Sequence, residues 1–131
     1  MSVTEKQKKF ISKCRTVCIG SVNENGFPNI KTMLYPRRVE QYKVFYFSTN
    51  TSSMRVSQFE NNPKACLYFN NTILFKGIML QGTVEILHDL KMKEQLWEKG
   101  DTKYYPLGVT DPDYCVLKFS VDDIEPRCYR I

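Results

Sequence analysis

Long apolar runs are missing from this chain. Nothing in its 131 residues approaches the roughly 18 consecutive apolar positions of a membrane-spanning helix. The N-terminal Thr4-Glu5-Lys6-Gln7-Lys8-Lys9 is polar, with no apolar stretch behind it. That is not the pattern of a secretory signal peptide, and it predicts a cytoplasmic protein. Histidine is nearly absent. His88 is the only one, at a strand end beside Asp89, so a Ser-His-Asp or Cys-His hydrolase would have to find its base there. A lone histidine without ordering partners reads as a surface or cap residue. There is no Walker A sequence and no GxGxxG. Gly77-x-x-x-x-Gly82 lacks the Lys-Ser/Thr ending and falls within a predicted strand. No CxxC pair occurs among Cys14, Cys18, Cys66, Cys115 and Cys128. An odd count without a secretory signal reads as reduced thiols. Cys14 and Cys18, four apart, would share one face of a strand. A closed metal site takes four ligands at tight spacing, which this set does not supply, so no metal is expected. The thiols read as small core hydrophobes. Internal repeats and low-complexity tracts are also lacking.

What is present is a folding composition. The chain is 42% hydrophobic and 13% aromatic, enough for one domain over residues 1–131 with a buried core. Its net charge is +5, much of it from Lys6, Lys8, Lys9, Lys13 and Arg15. No nucleic-acid motif accompanies that surplus, so it reads as a solvated helix face. A positive chain also favours an anionic ligand, though weakly.

The apolar pattern predicts a short helix over residues 4–13, docked through Phe10 and Ile11, then a buried strand over 16–22. Asn25-Gly26 marks a hairpin, with 28–35 as the partner strand. Residues 36–38 read as an irregular exposed connection, and 42–48 as an aromatic-rich strand. A helix over 53–61 stops before Pro63. Strands follow over 64–70 and 73–87, the second long enough to curve at Gly77 and Gly82. Asp89 caps a helix over 90–99 that Gly100 ends. A Pro/Gly/Tyr-rich loop spans 101–113, and strands over 114–121 and 125–131 close the sheet. Strands at hairpin spacing with only short helices between them predict an antiparallel barrel rather than a doubly wound sheet.

The segment Ser48-Thr49-Asn50-Thr51-Ser52-Ser53-Met54-Arg55 carries the chemistry. It follows the apolar run Val44-Phe45-Tyr46-Phe47 and leads into a predicted helix. A strand-to-helix turn of this kind gathers backbone N–H groups, hydroxyl donors and one fixed positive charge. Those are the elements of a phosphate site built without a P-loop. The competing reading is structural, since Ser and Thr cap helices for reasons of stability alone.

The order of these features resembles the FMN-binding split barrel of the pyridoxamine 5′-phosphate oxidase-like superfamily, and within it the short general-stress-protein branch. The resemblance rests on Thr49-x-x-x-Ser53-x-Arg55 after an apolar strand, on the helix ending at Asn61-Asn62-Pro63, and on the strand Ala65-Cys66-Leu67-Tyr68-Phe69. The early hairpin from Gly20 to Pro28, the strand Ile30-Lys31-Thr32-Met33, and the late segments Leu96-Trp97-Glu98, Tyr104-Tyr105-Pro106-Leu107-Gly108 and Asp111-Pro112-Asp113-Tyr114 add to it. The resemblance implies a mainly β fold, a six- to seven-stranded antiparallel split barrel with a few short flanking helices. It implies FMN as cofactor, with Thr49 and Ser53 donating to its phosphate, Arg55 pairing with it in place of the family's usual lysine, and Ser48 assisting. Lys31, Thr32 and Met33 would pass along the isoalloxazine, with backbone at the pyrimidine edge. A cation such as Lys31 there would stabilise the negative charge of the reduced ring. Trp97, Tyr104 and Tyr105 are secondary candidates near the flavin or a dimer interface. The family's homodimers hold FMN between two barrels. Related split barrels hold a deazaflavin or haem, and the phosphate turn makes FMN the expectation here.

Three departures separate the chain from the vitamin-forming oxidase. Met54-Arg55 stands where that enzyme commonly has an Arg-Lys pair, Gly77 falls where it has a glutamine, and its Arg- and His-containing C-terminal substrate motif has no counterpart in Cys128-Tyr129-Arg130-Ile131. The resemblance therefore implies a substrate other than pyridoxamine phosphate. Three functions stand open: an FMN-dependent oxidoreductase passing hydride or electrons from NAD(P)H or another donor to a small acceptor; a flavin-binding stress protein that stores or senses FMN without turnover; and a small basic barrel that binds single-stranded nucleic acid through its cations and aromatics.

Overall fold

Alternating burial builds the sheet. In β1 (Thr16–Val22), Val17, Ile19 and Ser21 are buried while the residues between them are not. In β5 (Lys64–Asn71), Leu67 and Phe69 take the inner positions. This is the period-two signature of a strand with one face on a core. The computed structural model describes residues 3–130. Its remaining strands are β2 (Pro28–Leu34), β3 (Arg38–Glu40), β4 (Val44–Asn50), β6 (Lys76–Leu87), β7 (Tyr114–Val121) and β8 (Arg127–Tyr129). Three helices flank them: α1 (Glu5–Lys13), α2 (Met54–Asn61) and α3 (Leu90–Leu96). Every pairing is antiparallel, in the order β2-β1-β5-β6-β7-β4-β3, and β8 adds to β6. The sheet is mainly β and open, the split-barrel architecture expected, with eight strands rather than six to seven.

The sheet curls until strands that are not neighbours share one core. Phe45 of β4 lies 5.8 Å, ring to ring, from Phe69 of β5 and 6.2 Å from Phe119 of β7. Each such ring, fully buried, contributes about 2–3 kcal/mol. The long β6 makes the curl possible by pairing with β7 over Gly82 to Leu87 and with β8 over Gly77 to Met79. Gly82 sits so close to β7 that a Cβ there would strike the Ser120 carbonyl. At Gly77 the Tyr68 ring occupies the space of a side chain and makes an edge contact with Tyr129 at 5.9 Å.

Helix α1 begins with a full capping box, Thr4 with Gln7, and docks through the fully buried Ile11 with Phe10 beside it. Asp89 caps α3 by accepting from the Met92 N–H at 3.2 Å. Several boundaries differ from the sequence reading. Arg38–Glu40 is a short edge strand against β4, not an irregular connection. Its charges are what edge strands use to stay unpaired, so they mask it in the sequence. Residues 73–75 belong to a turn, held by Asn71 accepting from the Ile73 and Leu74 N–H groups, so β6 starts at Lys76. Helix α3 ends at Leu96, with Arg37 donating to the Leu96 carbonyl at 3.0 Å. Cys14 caps the C-terminus of α1 and does not share a strand face with Cys18. All five thiols are free; Cys115 is buried in the core and Cys14 packs against it, so the reading as core hydrophobes holds for those two. The closing strand is Arg127–Tyr129, and Ile131 lies outside the described residues.

Candidate functional site

The open edge of the sheet makes a cleft. Among the described residues strand β2 pairs only with β1, so its second edge carries backbone groups with no strand partner there. Curling brings that edge opposite the end of β4. Between them lies a cavity of about 200 Å³. Lys31, Thr32, Met33, Leu34 and Tyr35 line one side, and Phe47, Ser48, Thr49, Asn50 and Arg55 the other, with Arg37 between them in the chain. The wall is chemically divided into apolar side chains (Met33, Leu34, Tyr35, Phe47) and a set of cations and hydroxyls. Among the described residues no carboxylate or histidine lines it.

The strand-to-helix turn is fixed from behind. Asp113 accepts from the Ser52 N–H at 2.8 Å and from Asn50 Nδ2 at 3.2 Å. Thr51 donates its N–H to the Asp113 carbonyl at 2.7 Å and its hydroxyl to the Pro112 carbonyl at 3.0 Å. The Ser52 N–H holds the Asp113 carboxyl below the usual carboxylate range. Residues 50–52 are therefore preset rather than left to form around a ligand.

At the head of α2 the polar groups are left unsatisfied. Ser53 occupies the N-cap position, yet its side chain makes no capping hydrogen bond. Its Oγ is buried without a partner among the described residues, and so is Arg55 Nε. Arg55 donates one bond, Nη2 to Thr49 Oγ1 at 3.2 Å, which leaves the Thr49 O–H proton free to donate elsewhere. No acid pairs with Arg55 among the described residues, and burial alone lowers its pKa from the ordinary arginine value. Arg37, lining the same cleft, is in the opposite condition. Its guanidinium forks onto Asp101 at 2.8 and 3.1 Å, which raises its pKa and lowers that of Asp101. Orphaned donors around an uncompensated cation fit an oxyanion such as a phosphate.

Six of the seven primary candidates from the sequence thus line one cavity: Lys31, Thr32, Met33, Ser48, Thr49 and Arg55. Ser53 stands two residues before Arg55 with its hydroxyl free. Trp97 and Tyr105 do not line the cavity. They pack with Tyr114 at 5.4 and 4.8 Å, ring to ring, and the Tyr114 hydroxyl is 3.3 Å from Ser48 Oγ. Burial raises the Tyr105 phenol to about 12, so it stays neutral and donates to Asn50 Oδ1 at 3.4 Å. Tyr104 is exposed. Sequence reasoning did not single out Arg37, whose partner is 64 residues away, nor assign Asp113 a role. The Asp-Pro-Asp-Tyr segment was the available signal for Asp113.

Three comparisons bear on this cleft. The family model described as pyridoxamine 5′-phosphate oxidase matches residues 3–128. A pyridoxine/pyridoxamine 5′-phosphate oxidase of Allorhizobium ampelinum is 29% identical over 87 residues, 66% of this chain and 41% of its own length. The chain thus spans under half of that curated relative. Among solved structures, a Clostridium acetobutylicum protein described as related to general stress protein 26 superposes with a TM-score of 0.79 at 39% identity, over 96% of this chain and 92% of that one. A Nostoc punctiforme protein described as pyridoxamine 5′-phosphate oxidase-related and FMN binding shares the fold at TM-score 0.64, with 16% identity over 82% of this chain and 70% of that one.

Proposed function

Because the chain belongs to the pyridoxamine 5′-phosphate oxidase family, we propose that its cleft holds flavin mononucleotide and that the protein is an FMN-dependent oxidoreductase. The observation that carries this reading is the uncompensated Arg55 guanidinium beside the unpartnered Ser53 hydroxyl. Thr49, Ser53 and Arg55 hold the phosphate, and Ser48 assists. The free edge of β2 at Lys31, Thr32 and Met33 offers backbone donors and acceptors to the heterocycle, and Lys31 places a cation beside it. Bound FMN supplies hydride and electron transfer between a nicotinamide or other donor and a small acceptor, a substrate other than pyridoxamine phosphate. The residues orient the cofactor. The absence of a carboxylate or histidine from the lining leaves proton transfer without a side chain of ordinary acid–base range, and it favours a second reading, flavin binding without turnover. The five free thiols support a cytoplasmic setting. No helix among the described residues is long and apolar enough to cross a membrane.

At about 200 Å³, the cavity is smaller than the roughly 300–1,000 Å³ of pockets that enclose a ligand of this class. A second copy of the chain completes it in this reading, as a homodimer with flavin at the interface. The test is an absorption spectrum of the purified protein after FMN is added and the excess removed, beside Arg55→Ala. A flavin spectrum retained by the wild type and weakened in the variant supports the site. A colourless wild type overturns it. Anaerobic bleaching by NADH or NADPH then separates turnover from storage.

A further inference from the structure

Three consecutive apolar residues stand in solvent at the tip of the β5–β6 hairpin. Ile73, Leu74 and Phe75 are 85%, 52% and 72% exposed, and none belongs to a core cluster. The tip has a fixed shape. Asn71 Oδ1 accepts from the Ile73 and Leu74 N–H groups, and Phe75 turns the chain into β6 at φ 54°. Cations surround it. Ile73 shares a cavity of about 260 Å³ with Phe10, Lys13, Cys14, Arg15 and residues 70–72. Among the described residues no carboxylate lines that cavity, and none of its lining residues belongs to the β2–β4 cleft. Lys76 follows the tip directly, and the pairing of Tyr129 with Gly77 brings Arg130 to the same end of the sheet. Lys13, Arg15, Lys76 and Arg130 make no ion pair among the described residues.

A convex apolar tip beside a cationic cavity suits a boundary that is apolar beneath and anionic at its surface. The tip side chains enter the apolar layer, and the cavity meets phosphate oxygens at headgroup level. Two other occupants fit less well. A second copy of this chain has a net charge of +5 and brings like charge against the four cations. A single nucleic-acid strand stacks on aromatic faces, whereas two of the three tip residues are aliphatic.

We propose that the β5–β6 tip and the cavity beside it seat the protein on an anionic phospholipid surface, lying on the membrane without crossing it. The proposal stands without the flavin reading. Its test is co-sedimentation of the full chain with vesicles of phosphatidylcholine alone and of phosphatidylcholine mixed with phosphatidylglycerol, on the wild type, Phe75→Asn and Arg15→Ala. Asparagine tolerates the positive φ at position 75, so the hairpin keeps its shape. The wild type should pellet with the mixed vesicles and stay in solution with the neutral ones. Phe75→Asn should weaken that binding about tenfold or more, the loss of one inserted aromatic ring. Arg15→Ala should weaken it about fivefold, the loss of one cation near an anionic surface. A wild type that ignores the mixed vesicles, or pellets equally with the neutral ones, overturns the proposal. So does undiminished binding in both variants. A change in the oligomeric state of Phe75→Asn without vesicles overturns it in favour of a second copy on the tip. A single-stranded oligonucleotide that binds the wild type and is lost from Phe75→Asn overturns it in favour of nucleic acid.

Discussion

Arg55 and Arg37 line one cleft under opposite electrostatic conditions, and the two make opposite predictions. Arg37 is neutralised by Asp101, so the pair belongs to the fold. The folded Asp101 pKa lies below its ordinary value because Arg37 hydrogen-bonds it. Its stabilisation is therefore fully present above the ordinary carboxylate pKa of about 3.9 and is lost as pH falls through the lower folded value. Asp101→Asn should cost about 2 kcal/mol at neutral pH and flatten the acid limb of a stability–pH profile measured by urea unfolding. Arg55 has no such partner. It carries a burial cost in the apoprotein that its one bond to Thr49 offsets only in part. Arg55→Ala should weaken FMN about 10- to 100-fold, the worth of a charged hydrogen bond, while the apoprotein melts no lower than wild type. A variant that melts well below wild type would make Arg55 a structural residue. Much of this site was legible in the sequence because Thr49, Ser53 and Arg55 are close along the chain and the turn fixes their spacing. The Arg37–Asp101 pair was not, because a Pro-Arg-Arg run carries no local mark of a partner 64 residues away.

At the scale of the element, three helix caps of similar sequence differ in what they do. Thr4 and Asp89 accept from backbone N–H groups of α1 and α3. Ser53 occupies the corresponding position of α2 and accepts nothing. Thr4→Ala and Asp89→Ala should each cost about 1 kcal/mol in chemical denaturation. Ser53→Ala should cost nothing in the apoprotein and lower FMN affinity several-fold. A cost of about 1 kcal/mol at Ser53 would restore the purely structural cap. Strand β6 poses a different constraint. Gly82→Ala drives a Cβ into the Ser120 carbonyl, which is backbone and cannot swing aside, and should cost about 1–3 kcal/mol in the same assay. Elements with several buried apolar residues were legible: β1 and β5 alternate on the core, while β4 and β7 are continuous buried runs over 45–47 and 114–117. β3 has three residues and Arg38 and Glu40 at its ends, too short for a period to show. The Ile73-Leu74-Phe75 turn misled in the other direction. Its side chains are apolar yet exposed, and Phe75 holds φ at 54°, a turn conformation that hydropathy cannot report.

At the scale of the whole molecule, the shape of the sheet leaves one task undone. A curled open sheet has two edges, and here β2 is one of them. That edge is the wall of the cleft, and it is apolar on a solvent face: Ile30 and Leu34, on either side of Thr32, are 74% and 76% exposed. An uncovered apolar edge strand invites pairing with another chain. The cleft beside it is too small to enclose FMN. One arrangement answers both facts, a second copy seated along β2 that covers Leu34 and supplies the missing wall. The wild type should then sediment as a dimer. Ile30→Glu, which puts a charge on that face outside the residues lining the cleft, should sediment as a monomer. The same variant should keep its fold by circular dichroism yet bind FMN about tenfold or more weakly, since every contact from the second wall is lost together. A monomeric Ile30→Glu that binds FMN as tightly as the wild type would show that one protomer's cleft is sufficient and that the exposed edge serves another purpose.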